Sequence, residues 1–344
     1  MHPNPSSNGI MMQKVTPPWE IQRRLLVKAE EETSARYGSK PEERPIEEYI
    51  RFGLINLDKP PGPSSHEVTA WAKRLLEIQK AGHGGTLDPR VTGILPIALH
   101  EATKVIQALL QSGKEYICIT RLHSKISKKS IKAILEEFIG TIYQRPPLRA
   151  SVKRRLRKRK IYSLKLLEIR DRDILFRVAC EAGTYIRKLA HDVGEALGCG
   201  AHMRELRRTR SGSFGEDQSL VTLYDVAYLY DEWKETGDER LLRRFVQPME
   251  KALEYMPKII IRDSAVDAIC HGANLAAPGV LSLETEMKPK ITVAILTQKG
   301  EAVALAKALS TTEEILKMDH GIVATTQRVL MPRGTYPKMW RGSP

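Results

Sequence analysis

Residues 161–181 read IYSLKLLEIRDRDILFRVACE. Two runs rich in β-branched, aromatic and aliphatic residues flank Arg170-Asp171-Arg172, which predicts an antiparallel hairpin. The neighbouring segments do not fall into a βαβ rhythm. KEYICITRLH, from Lys114, reads as a strand, and SIKAILEEFIG, from Ser130, as a helix closed by Gly140. TYIRKLAHDVGEAL, residues 184–197, has helical spacing and stops at Gly198. Upstream, FGLINL at 52–57 predicts a buried strand that ends in the turn Asp58-Lys59-Pro60-Pro61-Gly62. Ser64 or Ser65 then caps a helix carrying Val68, Trp71, Ala72, Leu75 and Leu76 on one face. A further helix is expected around Ala102 to Leu110. Helices and strands mixed in this way predict the α+β class, built on a mixed, largely antiparallel sheet.

The composition changes near Gln247-Pro248-Met249. Beyond it, PKIIIRDSAVDAICHGANLAAPGV, TVAILTQKGEAVALAKAL and GIVATTQRVL read as short strands, with one short helix and a turn at Lys299-Gly300. Such a segment fits a small C-terminal β-barrel. The expected division is an N-terminal extension over 1–50, a larger domain over 51–250 and the barrel over 256–335.

The chain of 344 residues has 55 lysines and arginines against 41 acids, a formal charge of +14. That balance predicts attraction to polyanions, nucleic acid above all. No run of about 18 apolar residues suggests a membrane span, and the polar start lacks a signal peptide's apolar core. Cys118, Cys180, Cys199 and Cys270 are widely spaced, without a C-x-x-C pair. They read as reduced thiols of a cytoplasmic protein. Gly113-Lys114 is followed by Glu115, so there is no Walker A loop, and neither G-x-G-x-x-G nor G-x-S-x-G occurs in a suitable place.

What remains is a loop with one bare carboxylate, AGHGGTLDPRVTGILP at 81–96. Gly82, Gly84 and Gly85 mark unusual dihedrals or a close approach to the backbone, and Pro89 stiffens the chain after Asp88. His83 could be a ligand, an acid or base, or a group that satisfies backbone; no second histidine lies at metal-ligand spacing, so no metal is expected. Tyr116 is either a sheet residue or a base-stacking platform. Arg187 lies in the first turn of a helix, where its charge is unfavourable without a partner. That partner is either a surface acid of little consequence or a carboxylate held in a pocket. Two basic clusters, Lys153, Arg154, Arg155, Arg157, Lys158, Arg159, Lys160 and then Arg204, Arg207, Arg208, Arg210, read as solvated runs or as a surface that tracks phosphates. One loop aspartate, one arginine, two tyrosines and a basic surface suit a carboxylate that acts on a nucleic-acid base.

Several of these stretches together resemble the TruB family of pseudouridine synthases: LDKPPGPSSHEV, GHGGTLDP, KEY at 114–116, GTYIR at 183–187 and GAHMRELRRTRSG at 200–212. GHGGTLDP, QRPPLRASVKRR and HGANL look like the dyskerin branch, the RNA-guided H/ACA enzymes, and the absence of a lysine-rich tail looks like its archaeal form. The resemblance implies a pseudouridine synthase fold with a C-terminal PUA domain. It also implies isomerisation of uridine to pseudouridine in rRNA, and in tRNA too, without a cofactor. Asp88 would be the catalytic residue, by attack on the sugar or by assisting glycal formation. Tyr116 would stack on the uracil, Arg187 would pair with Asp88, and Tyr185 and Leu206 would line the pocket. His83 would help hold the flipped-out target, and Lys59 is counted among the substrate contacts. Lys153, Arg154, Arg155, Arg204, Arg207 and Arg208 are the expected RNA contacts. His271 and Gly272 are expected to meet the guide's ACA end. Expected partners are a guide RNA, target rRNA and small accessory proteins. The alternatives are a stand-alone tRNA enzyme of the TruB kind and a catalytically silent RNA scaffold.

Overall fold

A computed structural model describes residues 15–146, 153 and 155–339. Its larger sheet has eleven strands. Gly53–Lys59 pairs antiparallel with Thr92–Leu99. Thr92–Leu99 runs parallel to Ala201–Ser211 over Thr92↔Arg207 and Gly93↔Arg208. Ala201–Ser211 is antiparallel to Lys114–Leu122. The sheet continues through Asp173–Cys180 and Arg157–Arg170 to the edge strand Gly140–Gln144. The 161–181 stretch forms the expected hairpin, with Arg170 opposite Asp173 and Asp171 in the left-handed region at φ 56°. The mixed, largely antiparallel α+β architecture is as expected.

The central strands are buried on both faces, so they read as continuous apolar runs. Ile55, Leu57, Leu95 and Ile97 face the helices Ser65–Leu75 and Leu223–Thr236 through Val68, Ala72, Val226 and Leu229. Leu54, Ile94 and Ala98 face the other way, onto Val105, Leu109 and Leu253. That second cluster also contains Leu296, Leu305 and Leu330. Leu296 and Leu305 belong to, and Leu330 directly follows, a seven-stranded sheet that holds Lys258–Ile261, Val280–Glu284, Thr292–Leu296, Ala302–Ala308 and Ile322–Val329. The C-terminal unit, read from the sequence as separate, thus packs its apolar face into the core of the larger sheet.

The N-terminal segment, read as an extension outside the core, is tied into both units. Leu25–Val27 adds an antiparallel strand to Val280–Glu284, and Ile46 and Tyr49 of the helix Ile46–Arg51 are buried. Arg44 donates two hydrogen bonds to Glu250, at 3.0 and 2.7 Å, and Glu250 also accepts from the Ala302 amide at 3.0 Å. This ion pair is almost fully enclosed, with side-chain exposures of 6% and 12%. Removing one partner strands the other's charge. Glu250→Ala is therefore expected to lower the unfolding free energy by about 3–5 kcal/mol. The apolar pair Arg44→Met/Glu250→Met should recover most of the loss, as chemical denaturation would show.

Candidate active site

The site forms where three strands converge beside the 84–91 loop. Its glycines have different tasks. A Cβ on Gly82 would lie 2.5 Å from Cδ1 of Ile106, and one on Gly84 would lie 2.8 Å from Cβ of Leu109. Both admit a packed helix, not a ligand. Gly93, at φ 100°, lies against the strand of Arg208, whose carbonyl oxygen would stand 2.2 Å from a Cβ there. Any side chain at Gly93 would push the two parallel strands apart.

Asp88 opens a turn closed by the Val91 amide, which donates to the Asp88 carbonyl at 2.9 Å. The Lys59 ammonium, fully buried, donates to the carbonyls of Pro60, Pro89 and Val91 at 2.8, 2.9 and 2.9 Å. Lys59 is therefore no substrate contact, contrary to expectation; it holds the Asp88 turn from beneath. Ser64 caps the helix in a capping box with Glu67. Ser65, fully buried, instead accepts from the Leu87 amide at 2.8 Å and donates to the Leu87 carbonyl at 3.1 Å. The residue before the aspartate is fixed in this way.

The carboxylate itself points outward. Arg187, second residue of the helix Ile186–Ala196, donates to Asp88, and the two side chains are 59% and 56% exposed. The anticipated pair forms, at a rim and not in a closed pocket. At such exposure its own contribution to stability is about 0–1 kcal/mol, and its effect is to orient the carboxylate. Tyr185 is the N-cap of that helix. The Gln144 side chain, buried, accepts from its amide at 3.0 Å and donates to its carbonyl at 3.2 Å. Leu206 packs, half-buried, on the cluster that contains Leu87, Val91 and Tyr116. His83 lies edge-on to His66, ring centroids 4.9 Å apart. Burial, then His66 and Arg208, lower its pKa, which favours the neutral imidazole.

Tyr116 is nearly buried and stands opposite Arg208 in the strand register. Burial raises its pKa, and Arg208 opposes the rise. Arg208 is 1% exposed and donates to the carbonyls of Ile94 at 2.7 Å and Gly85 at 3.0 Å. It is an interior residue, so the expectation of an RNA contact fails there. Arg207 is engaged by Asp58 at 3.0 and 2.8 Å and by Glu216 at 2.6 Å, and Arg204 by Asp173 at 2.8 Å. The second basic cluster is thus largely neutralised or buried. Lys153 and Arg155 are exposed, and Arg154 lies outside the described residues. His271 and Gly272 lie in the C-terminal unit, beside a cavity of about 470 Å³ also lined by Asp267 and Lys338.

The positioning roles of Ser65, Gln144 and Arg208 do not emerge from the motifs alone. Arg208 had a usable signal: once 201–211 is taken as a strand, period-two alternation puts Arg207 and Arg208 on opposite faces, and one of the two has to enter the interior.

Comparison with known proteins covers nearly the whole chain. A model of the TruB family pseudouridylate synthase N-terminal domain matches residues 73–186, and one of the tRNA pseudouridylate synthase B C-terminal domain matches 187–254. A DKCLD domain matches 17–69 and a PUA domain 257–330. The chain is 60% identical to a Methanopyrus kandleri protein named "Probable tRNA pseudouridine synthase B", over 94% of this chain and 95% of that one. A Thermococcus kodakarensis protein of the same name is 57% identical, over 94% and 96%. Among solved structures, a chain of a Cbf5-Nop10-Gar1 complex is 55% identical with a TM-score of 0.91, over 95% of this chain and 99% of that one. A chain of an H/ACA RNP bound to a substrate RNA containing 2'-deoxyuridine is 53% identical with a TM-score of 0.87, over 94% and 99%.

Two outcomes test the scaffold of the site. Lys59→Met leaves the three turn carbonyls without their donor, and is expected to lower stability by about 3 kcal/mol in chemical denaturation. Lys114 is buried, and its ammonium donates to the Leu109 carbonyl at 2.8 Å and to the Ser112 carbonyl and hydroxyl at 2.7 and 2.9 Å. Burial pushes its pKa down to about 7. A lysine whose folded value lies below its unfolded one opposes folding fully below the folded value, and the opposition is relieved as pH rises toward the unfolded value of about 10.4. Wild type is therefore expected to gain stability on Lys114→Met between pH ~7 and ~10. A constant difference between the two over that range would contradict the buried ammonium.

Proposed function

Because the chain belongs to the TruB family of pseudouridylate synthases, we propose that it isomerises uridine to pseudouridine as the catalytic subunit of an RNA-guided H/ACA particle. The observation that carries this reading is the match, over 95% of the chain, to a chain of a Cbf5-Nop10-Gar1 complex. The match to a chain of an H/ACA RNP with substrate RNA supports it. The partners in this reading are a guide RNA, the target RNA and small accessory proteins, and the particle works in the cytoplasm. Among the described residues no helix is long and apolar enough to cross a membrane. We divide the chain into a tied N-terminal segment over 1–50, a catalytic domain over 51–250 and an RNA-binding PUA domain over 256–335.

The chemistry follows from the rim geometry. A uracil inside a helix cannot reach a loop carboxylate, so the target nucleotide leaves its stack. Asp88, aimed by Arg187, meets the ribose and either bonds to C1′ or takes the C2′ proton. Tyr116 lies under the base, Leu206 and Tyr185 close the apolar side, and His83 and His66 flank the loop. Lys153 and Arg155 are exposed and offer charge to phosphates. His271 and Gly272, next to their cavity, take the end of the guide. Sequence choice then belongs to base pairing with the guide, and this chain supplies the catalyst.

The names of the Methanopyrus kandleri and Thermococcus kodakarensis relatives, which point to tRNA, favour a second reading, in which the chain is a tRNA enzyme, and for this reading we take it to act alone. Conversion of a defined target uridine, measured with and without a matching guide and accessory proteins, separates the two. Conversion only with the guide is expected. Efficient conversion of a tRNA by the chain alone would support the second reading. In the assembled particle, Asp88→Asn is expected to abolish conversion while target-RNA affinity changes by less than about threefold, because the exposed pair contributes little to binding. Conversion at the wild-type rate would overturn the role of Asp88 and leave the scaffold reading.

A further inference from the structure

Three cationic side chains lie in the interior beneath the Asp88 loop: Arg208 at 1% exposure, Lys114 at 5% and Lys59 at 0%. Every hydrogen-bond acceptor they meet is neutral. Arg208 has the carbonyls of Ile94 and Gly85, Lys114 has two carbonyls and a hydroxyl, and Lys59 has three carbonyls. Lysine and arginine are almost never so buried without a counter-charge, because desolvation of an unpaired ion is expensive. Neutral donors could have satisfied the same carbonyls. Among the described residues the one carboxylate at this centre is Asp88, and it already has Arg187 as partner. The floor of the site therefore holds more cationic groups than carboxylates: Arg208 keeps its charge throughout and delivers it at the residue that faces it across the register, Tyr116, while Lys114, its pKa pushed down to about 7, adds charge only while it is protonated.

On the reaction read above, an anion forms at that place. Cleavage of the N1–C1′ bond leaves its electron pair on the base, so the detached uracil bears one negative charge. C1′ is satisfied by a bond to an Asp88 oxygen or by loss of the C2′ proton to it. After the base turns, an electron pair from C5 makes the new C5–C1′ bond, which expels Asp88 or takes back the C2′ proton. C5 then loses its proton, and N1 carries one in the product. We propose that Arg208 is a positioning residue that sets the Tyr116 hydroxyl against the base and, reinforced by Lys114 in its protonated form, provides a preorganised positive potential that stabilises the detached, negatively charged uracil. This rests on the pseudouridine synthase reading and adds to it the state that the buried cations favour. A potential fixed before the reaction needs no reorganisation when charge develops, which makes such groups effective.

A better leaving base tests the idea. Fluorine at C5 stabilises the uracil anion, so a 5-fluorouridine target depends less on the protein for that charge. The assembled particle is followed under single-turnover conditions, on targets with uridine or 5-fluorouridine at the guided position, by nuclease digestion and chromatography of the rearranged nucleotide. Arg208→Met is expected to slow uridine by about 100-fold and 5-fluorouridine by less than about 10-fold, with target binding within about twofold of wild type. Arg208→Lys keeps the charge and should leave the ratio of the two rates within about threefold of wild type. Lys114→Met should shift the ratio in the direction of Arg208→Met, and it carries the test if melting shows that Arg208→Met does not fold. Equal slowing of both bases in the folded variants would overturn the inference alone. A wild-type particle that converts neither base would overturn the parent reading and the inference with it.

Discussion

The arrangement on which the rest of the site depends is a set of backbone carbonyls turned inward and satisfied by buried cations. Lys59 gathers the carbonyls of Pro60, Pro89 and Val91 and so joins the end of one strand to the turn that follows Asp88. Arg208 holds Gly85 and Ile94 from a second strand, and Ser65 holds both polar groups of Leu87 from a helix. A loop of this length would normally leave its carbonyls to water and follow the solvent. Here residues 85–91 take their shape from the sheet. The exposed Asp88–Arg187 pair then needs only to choose a direction for a carboxylate whose backbone is already placed.

The same economy governs the larger architecture. Leu54 and Ile94 of the central sheet share one apolar cluster with Leu296, Leu305 and Leu330 of the C-terminal unit, and the enclosed Arg44–Glu250 pair ties the N-terminal segment to the same seam. The cavity beside His271 therefore stands at a set distance and angle from Asp88. If one end of a guide RNA is held there and its paired target is presented at Asp88, the spacing between them is determined by side-chain packing and not by a linker. Close-packed interiors transmit such constraints because they deform little.

Much of this was legible in the residues. The hairpin at 161–181, the helix after Ser64 and the C-terminal strands follow from alternation, capping signals and turn chemistry that act over a few residues, whereas the pairing of Arg187 with Asp88 was implied only by the family resemblance. The basic cluster at 204–210 was read less well. As a count of charges it suggested a phosphate surface, yet Arg207 is spent on Asp58 and Glu216 and Arg208 enters the interior. The glycines of the loop were read as marks of unusual dihedrals or of a close approach to the backbone, and at two of them what approaches is Ile106 and Leu109. In both cases the deciding neighbour is distant in sequence, and no local pattern names it.

The sequence by itself determined the fold class and the family, because hydrophobic period, turn chemistry and motif order are properties of short stretches of chain. Only the tertiary structure decided which cations are exposed, which are engaged by acids and which are buried to support the loop, and it alone placed the C-terminal unit on the catalytic core. The physical reason is that burial and pairing are set by strand register across the sheet: Tyr116 meets Arg208 and Gly93 meets Arg208 through contacts between residues roughly a hundred positions apart, and the energy of a charge depends on those neighbours far more than on its own place in the chain.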